Sequence, residues 1–310
     1  MKKFLVFAVV ALVLSACGGD KANQEDEVIT FSNNKDKVSY VLGSMNAQSL
    51  VGSNDKNVER LNKDFIAEGF NMNLNATKPD NCEETFKKLF GPYYQDFDST
   101  YAKDGAICLG RMTAYSFYRD LKRMDAFGDL NVEYVKKGFL HGLHKKDTIV
   151  SQEEKQQLIQ SFISDINVRN GNKMMAKAKQ IPGIQKFDNG ILMQVVQEGK
   201  GAMPAPTDDV KVEYILTNAT GDTVQSSYAM KKQTGKTEAV ALKLNGGVIP
   251  GWSYALPKMR KGGKYRIYVP WNLAYGEQGG KESLCFLIEL IDFAKEGSFV
   301  KEEMQMPAAQ

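Results

Sequence analysis

The spacing of apolar residues changes character once along the chain. Through residues 37 to 179 they recur at three- and four-residue intervals, the period of one helix face. From Gly190 onward the period becomes two. Asp209 to Leu216 and Ala239 to Leu244 alternate apolar with polar positions, as half-buried strands do. Ile191–Val196, Lys264–Val269 and Leu284–Ile291 read as further strands, and Trp252 to Met259 has room for only one or two helical turns. Strands enclosing one short helix predict an α+β domain over residues 185–295, an antiparallel sheet wrapped on the helix, followed by a tail at 296–310.

The helical half contains itself twice, over about residues 37–100 and again from 105 to 150 onward. Leu61-Asn62-Lys63-Asp64-Phe65-Ile66-Ala67-Glu68-Gly69-Phe70 recurs 69 residues later as Leu130-Asn131-Val132-Glu133-Tyr134-Val135-Lys136-Lys137-Gly138-Phe139. Leu42-Gly43 likewise matches Leu109-Gly110. Repeated apolar stripes at helical spacing predict helices packed on helices, a duplicated all-helical domain over 37–150. Glycine inside a helix costs about 1 kcal/mol against alanine, so its recurrence at Gly43/Gly110 and Gly69/Gly138 predicts close helix crossings there. Each copy is followed by a further helical candidate. The first, Cys82–Phe97, is interrupted by Gly91-Pro92. The second, over 151–180, starts with Ser151 and Glu154 at capping-box spacing and stops at Ile181-Pro182-Gly183. Its apolar face is Leu158, Ile159, Phe162, Ile163 and Ile166. Beyond Ile166 it turns polar, as a helix standing between domains would.

At 310 residues with 43% hydrophobic content, two cores are affordable. The net charge of +3 is mild, and no basic stripe with interleaved aromatics is present, so nucleic acid is not an expected partner. His141 and His144 are the only histidines. No acidic or Cys partner stands at ligand spacing, so neither a metal nor a cofactor is expected.

The N-terminus has a signal peptide's layout: Lys2 and Lys3, then an apolar run from Phe4 to Leu14. A bilayer-spanning helix needs about 20 apolar residues, more than this run holds. Leu14-Ser15-Ala16-Cys17 resembles a bacterial lipobox. That implies a signal at 1–16, cleavage before Cys17, and lipidation of its thiol. The alternative is an ordinary secretory signal with an incidental Cys. Residues 17–36 read as a flexible polar tether. No later segment is apolar and long enough to span a bilayer, so the expectation is a soluble body anchored at one end. Cys82, Cys108 and Cys285 then form an odd set. A Cys82–Cys108 bridge and three unpaired thiols are both open.

The densest motif is Gly246-Gly247-Val248-Ile249-Pro250-Gly251-Trp252, with Tyr275-Gly276 beyond it. A Trp framed by glycines reads as the floor of an apolar pocket, since glycine lets backbone approach and Trp supplies a flat surface. With Gly190-Ile191-Leu192, Val212-Glu213-Tyr214, Gly221 to Tyr228, Met259 to Tyr265, Leu273-Ala274-Tyr275-Gly276 and Phe286 to Leu290, it makes seven segments, in order, that resemble the FKBP-type peptidyl-prolyl isomerase domain. The helical half resembles the domain that precedes it in Mip-like isomerases, with Ser39 to Gly43 the best local match.

That resemblance implies isomerisation of X–Pro bonds in exported client polypeptides. It places Tyr214, Val224, Val240, Val248, Ile249, Trp252, Tyr275 and Phe286 around the proline. Ile249 through its N–H, Tyr275 through its hydroxyl and Gln225 occupy the catalytic positions. It also implies a homodimer through the helical domain, although the family carries one copy of that domain and this chain two. A lipid-anchored place in the cell envelope, at the outer membrane, follows from resemblance and lipobox together. The sequence departs from the family pattern at several points. Val224 and Val240 stand where aromatics are usual, and Gln225 where an Asp is usual. The loop from Gly276 to Ser283 lacks the usual segment that overhangs the pocket. Two other readings follow from these departures: a weakly catalytic or non-catalytic chaperone-like binding module, and an interaction protein in which the helical half matters most.

Overall fold

The computed structural model describes residues 29–300, apart from 54, 75, 76 and 236. The signal, Cys17, most of the tether and the last ten residues lie outside the described residues. From Asn33 onward the described chain packs as one unit.

Among the described residues, seven α-helices precede the sheet: α1 (Asn34–Val51), α2 (Lys56–Glu59), α3 (Lys63–Asn73), α4 (Cys82–Phe90), α5 (Ala102–Arg123), α6 (Val132–Leu143) and α7 (Gln152–Ala178). Side chains just ahead of them satisfy their free amides. Asn62 accepts from the Asp64 and Phe65 amides ahead of α3, Asn131 from Glu133 ahead of α6, and Ser151 from Glu154 ahead of α7. α4 stops at Gly91, which takes a φ of 70°, so the break expected at Gly91-Pro92 is present. The α1–α6 and α3–α5 pairs cross closely at the four recurring glycines. A Cβ on Gly110 would sit 2.0 Å from the Ile66 carbonyl oxygen, and one on Gly138 would sit 2.0 Å from that of Tyr40. Ile66, Phe70, Leu89, Val135 and Phe139 fill the space between. Cys82 and Cys108 form a disulfide from α4 to α5, their Cα atoms 5.3 Å apart, which resolves the open pairing and leaves Cys285 free.

α7 begins at a buried polar knot. Lys155 Nζ lies 2.5 Å from Asp147 Oδ2, which also accepts from Ser44 Oγ at 2.8 Å and Gln48 Nε2 at 2.6 Å. Burial pushes the Asp147 carboxyl up, but the Lys155 and Ser44 hydrogen bonds and the Lys155 charge outweigh it and hold the carboxyl below the usual range. Of the expected apolar face, Leu158, Phe162 and Ile166 enter the helical core. Ile159 and Ile163 line a surface cleft instead, with Ile163 exposed. Further along α7, Met174, Met175 and Ala178 pack against Leu192 and Tyr268 on the back of the sheet.

The sheet comprises β1 (Gln185–Lys186), β2 (Leu192–Gln197), β3 (Asp209–Thr217), β4 (Thr223–Ser226), β5 (Val240–Lys243), β6 (Lys264–Val269) and β7 (Leu284–Ala294). All pairings are antiparallel. The order is β1-β2-β6-β7-β3-β4, with β5 also on β3. Leu216 pairs with Phe286, Tyr214 with Ile288 and Val212 with Leu290, so these residues share the front face. That face wraps the short helix α9 (Pro250–Ala255), whose Trp252 and Ala255 are buried in its core. The predicted α+β architecture is therefore the one observed. A second helix, α8 (Ser227–Thr234), follows β4. Its Lys-Lys-Gln-Thr end hides it from periodicity. Buried Ser227 holds it, accepting from the Tyr214 amide at 2.9 Å and donating to Glu213 at 2.6 Å.

Two stability outcomes follow. Gly110→Ala should lower the urea-unfolding free energy by about 1–3 kcal/mol, because forcing the crossing apart outweighs the gain in helix propensity. Gly128→Ala, which meets nothing within 4 Å, should change it by less than about 0.5 kcal/mol. Asp147→Asn leaves the buried Lys155 ammonium without its counter-charge, at a cost of about 3–5 kcal/mol near neutral pH. Because the folded Asp147 value is depressed, its contribution is present above the unfolded value, about 4, and is lost as pH falls through the folded one. Acid titration of stability should therefore be shallower in Asp147→Asn than in the parent chain.

Candidate functional site

The turn at Asn245–Gly247 brings the chain from β5 into α9, and Gly246 takes the left-handed φ of 75° that the turn requires. Val248 and Ile249 follow, Ile249 in extended form. Pro250 then opens the helix at a position where its missing N–H costs nothing. The Ile249 carbonyl accepts from the Trp252 amide at 2.9 Å and the Ser253 amide at 3.2 Å, whereas the Ile249 N–H donates to no other described residue. Gly251 is required by contact, since a Cβ there would meet Val269 Cγ1 at 2.5 Å. This tight seat drives the Trp252 ring into the sheet's front face.

Trp252 is 4% exposed and stands edge-on to two rings. Its centroid lies 5.4 Å from Tyr214 at 86° and 5.2 Å from Phe286 at 79°, geometry that aromatic quadrupoles favour. Its Nε1 is buried without a hydrogen-bond partner among the described residues. Over the indole opens a cavity of about 380 Å³, lined by Tyr214, Gln225, Leu242, Gly246, Gly247, Val248, Ile249, Trp252, Tyr275 and Phe286. Burial, then the nearby Tyr275, pushes the Tyr214 phenol above its ordinary value. Tyr275 stands 60% exposed at the rim. The lining carries two phenol hydroxyls, one amide side chain and no carboxylate.

Most of the expected residues therefore converge, but two do not. Val224 is 57% exposed and points away from the cavity. Strand alternation puts it on the opposite face from Gln225, and it is Gln225 that lines the cavity, its Nε2 3.7 Å from Met230 Sδ. Val240 is half-buried against the β-domain core without reaching the cavity. Leu242, two residues on along the same face of β5, takes that place. Leu242, Gly246 and Gly247 are lining residues beyond the expected set. The period of two in Ala239–Leu244 is the signal that could have found Leu242. The histidines hold structure. Tyr40 Oη lies 3.0 Å from His141 Nδ1, and His144 Nε2 lies 2.8 Å from Asp64 Oδ1.

A sheet closed round one short helix carries an aromatic slot above that helix's first turn, with an unclaimed backbone donor beside it, a shape and polarity that suit a small apolar ring. The family model for the FKBP-type peptidyl-prolyl cis-trans isomerase matches residues 200–291. The chain is 32% identical over 170 residues to the peptidyl-prolyl cis-trans isomerase Mip of Coxiella burnetii, covering 48% of this chain and 71% of that protein. It is 28% identical over 187 residues to the outer membrane protein MIP of Legionella longbeachae, covering 54% and 77%. The crystal structure of FkpA from Escherichia coli aligns with a TM-score of 0.38 at 28% identity, covering 62% of this chain and 96% of that one. The chain belongs to the Mip-like FKBP-type peptidyl-prolyl cis-trans isomerases.

The lining makes a discriminating expectation. In isomerisation of a short X–Pro peptide by the full chain, Leu242→Ala should lower kcat/KM several-fold. Val224→Ser should leave it at the parent value.

Proposed function

We propose that the cavity above Trp252 binds the prolyl ring of client polypeptides and catalyses rotation about the preceding peptide bond. The observation that carries this reading is the wedging of Trp252 between Tyr214 and Phe286 beneath an open cavity, with the Ile249 N–H unclaimed beside it. Rotation costs about 18–20 kcal/mol because the planar amide loses its resonance. No bond to carbon is made or broken, so nucleophile, proton relay and metal have no step to perform. The twisted amide is less dipolar than the planar one, and an apolar slot that excludes water favours it. A site complementary to that twisted state, rather than to either planar form, accelerates exchange.

Each residue has a role in this scheme. Trp252 is the floor; Tyr214, Phe286, Val248 and Leu242 are the walls. The Ile249 N–H donates to a substrate carbonyl, and the exposed Tyr275 hydroxyl meets the substrate backbone at the rim. Gln225 holds the position where the family carries an Asp, which would place a negative charge beside the twisting amide. The clients are exported proteins. The signal layout and the lipobox-like Leu14-Ser15-Ala16-Cys17 support a cell-envelope location, with a lipid anchor at Cys17 in the outer membrane as the finer reading.

A weakly catalytic binding module is the second reading, and two observations favour it. Gln225 is neutral, and Val224 turns outward so that no ring fills its place. The experiment follows X–Pro isomerisation by the full chain carrying Cys17→Ser, which keeps it in solution. Catalysis above the buffer rate is expected. Tyr275→Phe should cut kcat/KM several-fold without altering stability, and Gln225→Asp should raise it roughly tenfold, about 1.4 kcal/mol of barrier. A buffer-level rate in all three proteins, with refolding assistance intact, would leave only the binding module.

A further inference from the structure

The two copies in the helical half do not pack as two separate hairpins. α1 of the first copy lies on α6 of the second, and α5 of the second lies on α3 of the first. The close contacts map onto one another. Gly43 backs onto the Val135 carbonyl, and its counterpart Gly110 backs onto that of Ile66. Gly69 backs onto the Ile107 carbonyl, and its counterpart Gly138 onto that of Tyr40. Added Cβ atoms at these four positions would lie 2.0–2.1 Å from the carbonyl oxygens. Phe70 and Phe139, 69 residues apart, meet face to face, with centroids 3.7 Å apart and planes 6° apart. Residue i touching j while the counterpart of j touches the counterpart of i is the mark of an isologous two-fold interface. Here both sides of that interface belong to one chain.

The arms leaving this body differ. Each second helix is followed by a third: α7 after α6, and α4 after α3. Cys82 opens α4 69 residues before Ser151, the cap of α7. α7 runs 27 residues and carries the isomerase domain. α4 ends after 9 residues at Gly91, and the Cys82–Cys108 bridge ties its start to α5 of the other copy. The position from which a second long arm would depart is thus shortened and closed.

We infer that the first copy is the chain's own partner. The helical half is a complete two-fold body made by one chain, and the protein is a monomer with a single isomerase arm. The faces that would receive a second protomer are already covered, since Tyr40, Ile66, Phe70, Val135 and Phe139 are each 0% exposed. The homodimer implied by the family resemblance is therefore replaced by an intrachain pairing.

The Cys82–Cys108 bridge reports on this directly, because it joins the first copy to the second. The full chain with Cys17→Ser and Cys285→Ser is measured by sedimentation across a wide dilution series and run on a non-reducing gel. A single-chain mass at every dilution and a single-chain band are expected. Two chains held by bridges that a reductant separates would show the copies pairing between molecules, and would overturn the inference. A dimer lacking interchain bridges would overturn it as well, by placing a partner on another surface. The unsubstituted, exported chain, alkylated at its free thiols before denaturation, gives the same reading on the gel should the substitutions disturb folding.

Discussion

One helix belongs to two hydrophobic cores, and the placement of everything else follows from it. α7 gives Leu158, Phe162 and Ile166 to the helical core and Met174, Met175 and Ala178 to the back of the sheet. Between those stretches its polar residues are spent on fixed partners. Arg169 pairs with Asp129 at 2.6 Å, Asn170 donates to the Met124 carbonyl at 2.7 Å, and Asn167 donates to the Gly280 carbonyl at 2.9 Å. The last of these reaches the loop that follows Tyr275. A helix held along its length in this way behaves as a strut, and the rim of the cavity is braced against it.

Inside the β domain the constraint is the seat of Trp252. Pro250 and Gly251 fix the entry of α9, and the absence of a Cβ at Gly251 lets Val269 close against the helix. Tyr214 and Phe286 then meet the indole edge-on from two strands. Ile249, next to that entry, lines the same cavity. Its carbonyl is taken by the helix and its N–H is not. Floor and donor are products of one local geometry, which is why a single short motif carries so much of the site.

That motif, the two periods and the duplication were legible in the chain because each is set by local physics. A period of two or 3.6 is written directly into side-chain order, and so is a Pro-Gly entry to a helix. What escaped depended on contacts distant in sequence. α8 is polar and is held by Ser227 against Glu213 and by a Lys231–Glu213 ion pair, neither of which periodicity registers. The family resemblance points Val224 at the cavity, yet the β3–β4 register, Leu216 opposite Gln225, turns it outward. The resemblance likewise implies Val240, but it is Leu242, one step of the period further along β5, that stands at the cavity. The Cys82–Cys108 bridge joins the two copies, so it depends on the crossed packing of α3 on α5 that no single copy reveals.

Crossed packing also explains what duplication accomplishes physically. Two-fold helical bodies assembled from separate chains have a stability that falls on dilution, because association is bimolecular. Joining the copies through residues 74–101 converts that association into closure of a loop, whose entropy grows only slowly with length. A body closed within one chain then persists at any concentration. The consequence for the catalytic arm is asymmetry. One copy continues into α7 and the sheet, while the other ends in α4 and is cross-linked back onto the body. The arm that remains carries the cavity above Trp252, and Asn167 of α7 holds the loop that follows Tyr275 at its rim.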